Sequence, residues 1–270
     1  MLKLGLKNLL FLNFYFAKIP AAPLLITGRR YSKKEDPMGV FDRNYVRDRG
    51  AREEVSRVSV GETALTNFVK TTYKFFAGSL LLATVGAFVG LFNIPVVSKF
   101  KFLIFIVEIA LLIGLSFTKR MPGVNVGIFA LFSFISGVAI APLLGSVLAI
   151  NPSIVPQALA MTTIIFGIMS IFGIKTSKDL SGMGTALFWS AIVIIVFGLL
   201  NVFFFHSPLI QFGIASVVVV IFSLFVAYDT QNIVRGNYDS PVEAAISLYL
   251  DFLNIFTALL QIMGILSSRD

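Results

Sequence analysis

Seven apolar runs dominate the chain from residue 73 onward. Most are separated by short segments that contain Gly, Pro, Asn or charged residues. The runs cover approximately residues 73–93, 101–118, 124–145, 155–174, 184–205, 209–229 and 244–266. A helix of ~20 apolar residues crosses a bilayer whose hydrocarbon core is ~30 Å thick. The pattern therefore predicts an all-α membrane protein with seven transmembrane helices.

The first part of the chain has a different, polar pattern. We predict that residues 1–70 form a basic cytoplasmic tail that is largely disordered, and that residues 71–268 form the transmembrane domain. An amphipathic helix near residues 62–74 is expected to lead into the membrane. Translation can start at Met1 or at Met38, and in the second case residues 1–37 are not translated.

Composition supports the membrane interpretation and removes several classes of site. The chain is 57% hydrophobic and only 13% charged, which excludes a water-soluble protein. It contains no cysteine, so disulfides, zinc–thiolate sites and thiol nucleophiles are excluded. His206 is the one histidine, which leaves little support for histidine-based catalysis. We therefore expect a lipid bilayer as the partner, with no cofactor and no nucleic acid.

The basic residues are concentrated at the start of the chain. Residues 1–74 carry fourteen Lys and Arg against seven Asp and Glu, a net charge of 14 − 7 = +7 of the total +8. Because cytoplasmic segments of membrane proteins are enriched in Lys and Arg, the N-terminus is predicted to be cytoplasmic. Seven spans then place the C-terminus on the periplasmic side. If the last run only re-enters the membrane, both termini are cytoplasmic.

Two aspartates lie in or at the end of apolar runs. Asp229 ends the sixth run and Asp251 lies about seven residues into the seventh. An ionised side chain in hydrocarbon costs at least ~2.5–3.5 kcal/mol, so such residues usually face a protein interior and are functional. Facing each other, the two acids could share a proton or bind a cation. Alternatively, Asp229 caps a helix end in water and Asp251 pairs with a basic residue.

Three further charged residues are candidates for the same site. Lys119 and Arg120 end the second run on the predicted cytoplasmic side, where either could pair with Asp229 and close a path until the acid is protonated. The alternative is an ordinary positive-inside signal. Glu108 lies in the middle of the second run. It either lines a route to the aspartates or makes a structural hydrogen bond.

The last two runs carry a recognisable pair of motifs. LFVAYDTQNI and ISLYLDFLNIFTALLQIMGILSS resemble the signature of the Bax inhibitor-1 family, and GSLLLATVGAFVG, FIVEIALLIGLSF and SFISGVAIAPLLG resemble earlier spans of its bacterial members. The resemblance covers about residues 65–268. It implies a bundle in which six helices surround the seventh. It also implies a calcium leak for which Asp229 and Asp251 are the pH sensor. Because carboxylates supply the oxygen ligands that calcium prefers, we also predict that these two residues bind calcium.

The resemblance carries over to the remaining candidates residue by residue. The second-span acid of the relatives matches Glu108, and a basic latch residue matches Lys119, where the relatives have arginine. Because lysine makes a point contact rather than a bidentate one, latching is expected to be weaker, or Arg120 substitutes.

Three functions compete on this sequence. The first is a pH-sensitive calcium leak in a bacterial inner membrane, with calcium as the transported ion. The second is a non-transporting regulator that binds a membrane-bound protease or other membrane proteins. The third, an intramembrane aspartyl protease, is disfavoured because neither aspartate lies in a GxGD sequence. We therefore predict that the protein is not an enzyme.

Overall fold

The described part of the chain is helical throughout. The computed structural model describes residues 43–118, 121 and 123–268, and their side chains from residue 62 onward. No strand occurs in these ranges, so the all-α prediction is confirmed for them. The helices are α1 (Arg43–Phe92), α2 (Ile94–Lys99), α3 (Lys101–Phe117), α4 (Val124–Ile150), α5 (Ile154–Lys175), α6 (Met183–Leu200), α7 (Pro208–Val234) and α8 (Pro241–Ser267), with a π-helical turn (Asn201–Phe205) after α6.

Six helical segments are long and apolar enough to cross a membrane. They are residues 62–92 of α1, α4, α5, α6 with its π-helical turn, α7 and α8. The second apolar run forms α3, which has 17 residues and is shorter than the other six. Large apolar side chains cover the outside of the bundle, as expected for contact with lipid; Phe92 is 86% exposed and Phe204 is 74% exposed. The structure thus supports a multi-span membrane protein with six clear spans.

The first helix extends across the predicted boundary at residue 70. Helix α1 runs without interruption from Arg43 to Phe92 and includes the helix expected near residues 62–74, while the division of the chain into tail and membrane domain stays a prediction. Helix nucleation is costly whereas extension adds one hydrogen bond per residue, so a stable membrane helix can extend into a polar segment. The rest of the predicted tail, residues 1–42, lies outside the described residues, as do both possible start sites.

Glycines bring α1 and α4 into close contact. A Cβ on Gly86 would overlap the Phe134 carbonyl oxygen, and a Cβ on Gly137 would overlap the Ala83 carbonyl oxygen. Each helix therefore presents a glycine to the other's backbone. Gly86 and Gly90 have the small-xxx-small spacing that permits such an approach, and a Cβ on Gly90 would likewise overlap α4, at Ala141 and the Val138 carbonyl oxygen.

The last helix is the most buried of the six spans. Two thirds (67%) of the apolar window of α8 is buried, against 28–50% for the other five. It packs against α1, α4, α5 and α7. Every residue from Leu248 to Leu260 is buried, including Asp251 and Asn254. The polar groups of α8 are therefore held inside protein rather than in lipid.

Candidate functional site

Asp229 lies inside α7 rather than at its end. The helix continues for five residues beyond it to Val234, and Asp229 is only 2% exposed. The apolar run stops at Asp229, but the helix does not, because the next turn is held by hydrogen bonds. Gln231 Oε1 accepts from the Leu180 amide at 2.8 Å, and Gln231 Nε2 donates to the Lys178 carbonyl at 2.9 Å. The alternative of a helix cap in water is therefore wrong for Asp229.

Asp251 lies one to two turns deeper in the bundle. It is fully buried, ten residues after α8 begins at Pro241. At 1.5 Å per residue, Asp251 lies ~15 Å from the start of α8, and Asp229 lies ~7.5 Å from the end of α7. Ser247 lies one turn before Asp251 on the same helix, at ~9 Å, which matches the depth of Asp229.

A tight turn joins the two aspartate helices. Gly236 has a φ of +70°, a conformation that glycine adopts without strain, and it follows the last residues of α7. Ser240 caps α8, since its Oγ accepts from the Glu243 amide at 3.1 Å. Pro241 occupies the first helical position, where its missing N–H costs nothing. This turn fixes α7 and α8 side by side, and it also positions Tyr238.

Tyr238 connects the two aspartates. Its half-buried ring packs against the core, and its hydroxyl is hydrogen-bonded to the side chains of Asp229 and Ser247. Burial first, then the charges of Asp229 and Asp251, hold the pKa of this phenol well above its usual range. The hydroxyl therefore stays protonated and donates to the Asp229 side chain, and this one hydroxyl lies within electrostatic reach of both acids.

The basic group of the turn is engaged elsewhere. Arg235 Nη1 lies 2.5 Å from Asp179 Oδ1 in the loop between α5 and α6. The same carboxylate accepts from the Ser181 amide at 3.1 Å and from the Ser181 hydroxyl at 2.9 Å. The Ser181 bonds first, and then Arg235, lower the pKa of Asp179. Lys119 and Arg120, the predicted partners of Asp229, lie outside the described residues, so their role stays a prediction.

Glu108 belongs to a second buried polar group, formed with α4 and α8. It is fully buried in α3, within electrostatic reach of the Tyr249 hydroxyl. That hydroxyl is hydrogen-bonded to Ser136 Oγ and donates to the Ser133 carbonyl at 3.3 Å. Glu108 thus lies beside a hydrogen-bonded network in the bundle interior. Its predicted place along a route to the aspartates stays a prediction.

The acidic residues alone do not form a complete metal site. Among the described residues, no group of three or more His, Cys, Asp and Glu could hold a metal ion. Calcium takes six to eight oxygen ligands, so ions at Asp229 and Asp251 would also need carbonyl, amide or water oxygens. Calcium binding at these two residues stays a prediction.

Sequence reasoning missed Tyr238 and Ser247. Ser247 could have been found, because residues four apart share a helix face and Ser247 precedes Asp251 by four. Tyr238 carries no such signal. It lies in a turn, outside any periodic pattern, and only the packing of that turn brings it to Asp229.

Comparisons with known proteins identify the family of the chain. The model of the family described as "Inhibitor of apoptosis-promoting Bax1" matches residues 65–268, the same range as the resemblance seen in the sequence. A protein of Helicobacter pylori is 51% identical over 234 residues, which cover 86% of this chain and 100% of that protein. In Escherichia coli K12, the inner membrane protein YbhL is 30% identical over 174 residues, covering 59% of this chain and 72% of YbhL.

A second Escherichia coli K12 relative carries a functional name. The modulator of FtsH protease YccA is 31% identical over 161 residues, which cover 58% of this chain and 73% of YccA. The family match spans most of the chain, including both aspartate motifs and the turn between them. The chain therefore belongs to the Bax inhibitor-1 family.

Proposed function

We propose that this protein is a pH-sensitive cation leak, selective for calcium, in a bacterial inner membrane. The observation that carries the proposal is that Asp229 and Asp251 are both buried and both lie within electrostatic reach of the Tyr238 hydroxyl. Acids buried inside a membrane bundle are energetically costly, so they usually serve a function such as protonation or cation binding. The inner-membrane location follows the name of YbhL.

The gating mechanism follows from charge in a low dielectric. Two nearby carboxylates do not both ionise cheaply, so the pair exchanges protons as a unit. At high pH the ionised Asp229 accepts from Tyr238 and attracts Lys119 or Arg120 from the end of α3, which closes the path. Protonation removes that attraction and frees α3 to move. Flux is therefore expected to rise as the pH falls.

Calcium is the favoured cation because the site offers hard oxygen donors. Carboxylates are strong calcium ligands, and calcium accepts the irregular coordination that two helices and a turn provide. Asp229 and Asp251 are the proposed transient ligands, and calcium is cargo rather than a resident cofactor. Glu108, buried beside Tyr249, is the proposed acid of the route at mid-depth.

The leak also implies a particular topology. We propose that α3 crosses the membrane with the six longer spans, and that six helices surround α8. At 17 residues, α3 is at the lower limit for a spanning helix. Seven spans place the N-terminus in the cytoplasm and the C-terminus in the periplasm. A C-terminal alkaline phosphatase fusion that is active would support seven spans, whereas an inactive fusion would contradict them.

Calcium flux into liposomes tests the leak itself. Purified protein is reconstituted with a calcium indicator inside the vesicles, and uptake is followed from about pH 8 to about pH 5. We expect uptake above protein-free liposomes that increases towards acidic pH. Uptake equal to protein-free liposomes at every pH would contradict the proposal. Replacing calcium with potassium in the same vesicles measures selectivity.

A second function is favoured by one relative. YccA is named a modulator of FtsH protease, so this chain is also a candidate for binding a membrane-bound protease. The basic segment before the first span is the proposed docking element, because residues 1–60 carry twelve Lys and Arg against six Asp and Glu, a net charge of 12 − 6 = +6. Deletion of residues 1–60 is expected to abolish protease binding and leave flux intact. Binding that survives the deletion would contradict that docking role.

Neither function requires catalysis, and we propose that the protein is not an enzyme. Cleavage of a single-span test substrate by the purified protein, lost on Asp229→Asn, would overturn this.

A further inference from the structure

Five polar residues of α8 and its C-cap residue Ser268 lie on one face of that helix; three of the six are buried, two are half-buried and Ser268 is exposed. At ~100° of rotation per residue, the set shares an arc of about 120°. Its members are Ser247, Asp251, Asn254, Thr257, Gln261 and Ser268. Leu259 and Phe256 lie on the opposite side. We call this set the polar face of α8; it runs almost the full length of the most buried helix.

The two ends of the polar face reach different sites. At one end, Ser247 hydrogen-bonds with Tyr238, beside Asp229. At the other end, Gln261 and Ser268 line a cavity of about 180 Å³ between α4, α8 and the turn that precedes α7. Gln261 lies ~30 Å from the start of α8, twice the depth of Asp251. The polar face therefore extends from the aspartates to a cavity at the opposite end of the bundle.

Asn254 lies midway along the polar face and has an unusual environment. It is fully buried, and its Nδ2 donates to the Leu250 carbonyl of its own helix at 2.8 Å. Among the described residues, no group donates to Asn254 Oδ1. A buried oxygen of this kind requires a physical reason, and an amide carbonyl oxygen is a good ligand for a hard cation or for water.

Thr257 has a similar arrangement one turn further along α8. It is 6% exposed, and its hydroxyl donates to the Leu253 carbonyl of its own helix at 2.8 Å. Because the proton points back to the helix backbone, the lone pairs of Oγ1 are directed away from it. Asp251, Asn254 and Thr257 therefore supply side-chain oxygens in succession along α8.

Two side-chain amides are in contact at the cavity end of the polar face. Gln211 Nε2 donates to Gln261 Oε1 at 2.5 Å, and Gln211 Oε1 accepts from Asn201 Nδ2 at 3.2 Å. These three side chains join the π-helical turn, α7 and α8, and all three line the cavity. The Gln211–Gln261 contact crosses the polar face where the face enters the cavity.

We propose that the polar face of α8 is a water-accessible cation route from this cavity to Asp251, with Asn254 as an oxygen ligand midway and the Gln211–Gln261 contact as its constriction. The inference rests on the proposed leak for its cargo, but the route itself is tested separately. The cavity is its outer mouth, and the aspartates are its inner end.

Cysteine accessibility tests the route without any flux measurement. The chain contains no cysteine, so a single introduced thiol is the only one present. Thr257→Cys is nearly isosteric and Gln261→Cys lies at the cavity, while Phe256→Cys and Leu259→Cys are buried controls at the same depth. We expect a cationic methanethiosulfonate reagent to label the first two at least tenfold faster than the controls in native membranes. Equal rates on the two faces would overturn the route.

Flux measurements then test whether cations use the route. Asn254→Leu removes the oxygen ligand and is expected to lower calcium uptake at acidic pH about tenfold, the effect of losing one charge-assisted contact. Asn254→Asp keeps an oxygen and is expected to retain uptake. Uptake by the leucine variant equal to wild type overturns the role of Asn254. If wild type shows no calcium uptake but labelling is confined to the polar face, the proposed leak is overturned and the polar face is accessible to water without conducting calcium.

Discussion

Removing one hydroxyl next to Asp229 should move the pH response of the leak. Tyr238→Phe deletes the donor to the Asp229 carboxylate and leaves the ring packed against the core. A hydrogen bond to a charged group contributes ~1.5–3 kcal/mol, and the half-buried position of Tyr238 favours the lower end of that range. Since one pH unit corresponds to ~1.36 kcal/mol, we expect the flux midpoint to shift by about one unit.

The direction of the shift follows from which form the hydroxyl stabilises. Tyr238 donates to ionised Asp229, so its removal favours the protonated, open state and moves the midpoint to higher pH. The assay is calcium uptake by liposomes across a pH series. Tyr228→Phe is the matched control, because it removes the same group one residue from Asp229, where the hydroxyl faces Gly184. A midpoint unchanged by Tyr238→Phe, or lowered by it, would refute the reasoning.

Three further predictions concern the support of the site. Gly86→Ala should destabilise the bundle by ~1–3 kcal/mol, because the added Cβ would overlap a backbone oxygen of α4; the measurement is the melting temperature in detergent. Gly78→Ala is the control, since a Cβ there has open space and should not lower the melting temperature. Gln231→Ala should cost ~1–3 kcal/mol and speed proteolysis in the α5–α6 loop, because two backbone groups lose their partner; uncut protein would contradict this. Asp179→Asn should leave the pH profile of the flux unchanged. Because the pKa of Asp179 is lowered from 3.8, its carboxylate loses its charge, and with it the ion pair to Arg235, only below pH 3.8, which is outside the pH range of gating.

The helices could be predicted from the apolar runs, but their ends could not. α5 and α8 begin or end within about three residues of the predicted runs, since Pro and charged residues delimit both. The end of α7 was misplaced by five residues, because Thr230, Gln231 and Asn232 are polar and carry no apolar pattern. Their helix persists because Gln231 finds partners in a distant loop, and hydrophobic periodicity does not contain that information.

Part of the candidate site could be predicted from the sequence, and part depends on how the chain folds. Asp229 and Asp251 stand out because a charge within an apolar run is energetically expensive, and that cost is visible in the sequence. Their burial follows from the central position of α8, which composition alone does not give. Tyr238 was missed because it belongs to a turn, and its contact with Asp229 depends on how that turn folds back over the two helices.

The double variant Asp229→Asn, Asp251→Asn tests the central claim most directly. Both substitutions keep the size and a hydrogen-bonding oxygen of the side chain but remove its titratable proton, so the bundle should still assemble. In calcium-uptake assays from about pH 8 to about pH 5, we predict pH-dependent uptake for wild type and pH-independent uptake for the double variant. Uptake by the double variant that follows the same pH profile as wild type would contradict the claim that these two aspartates sense pH.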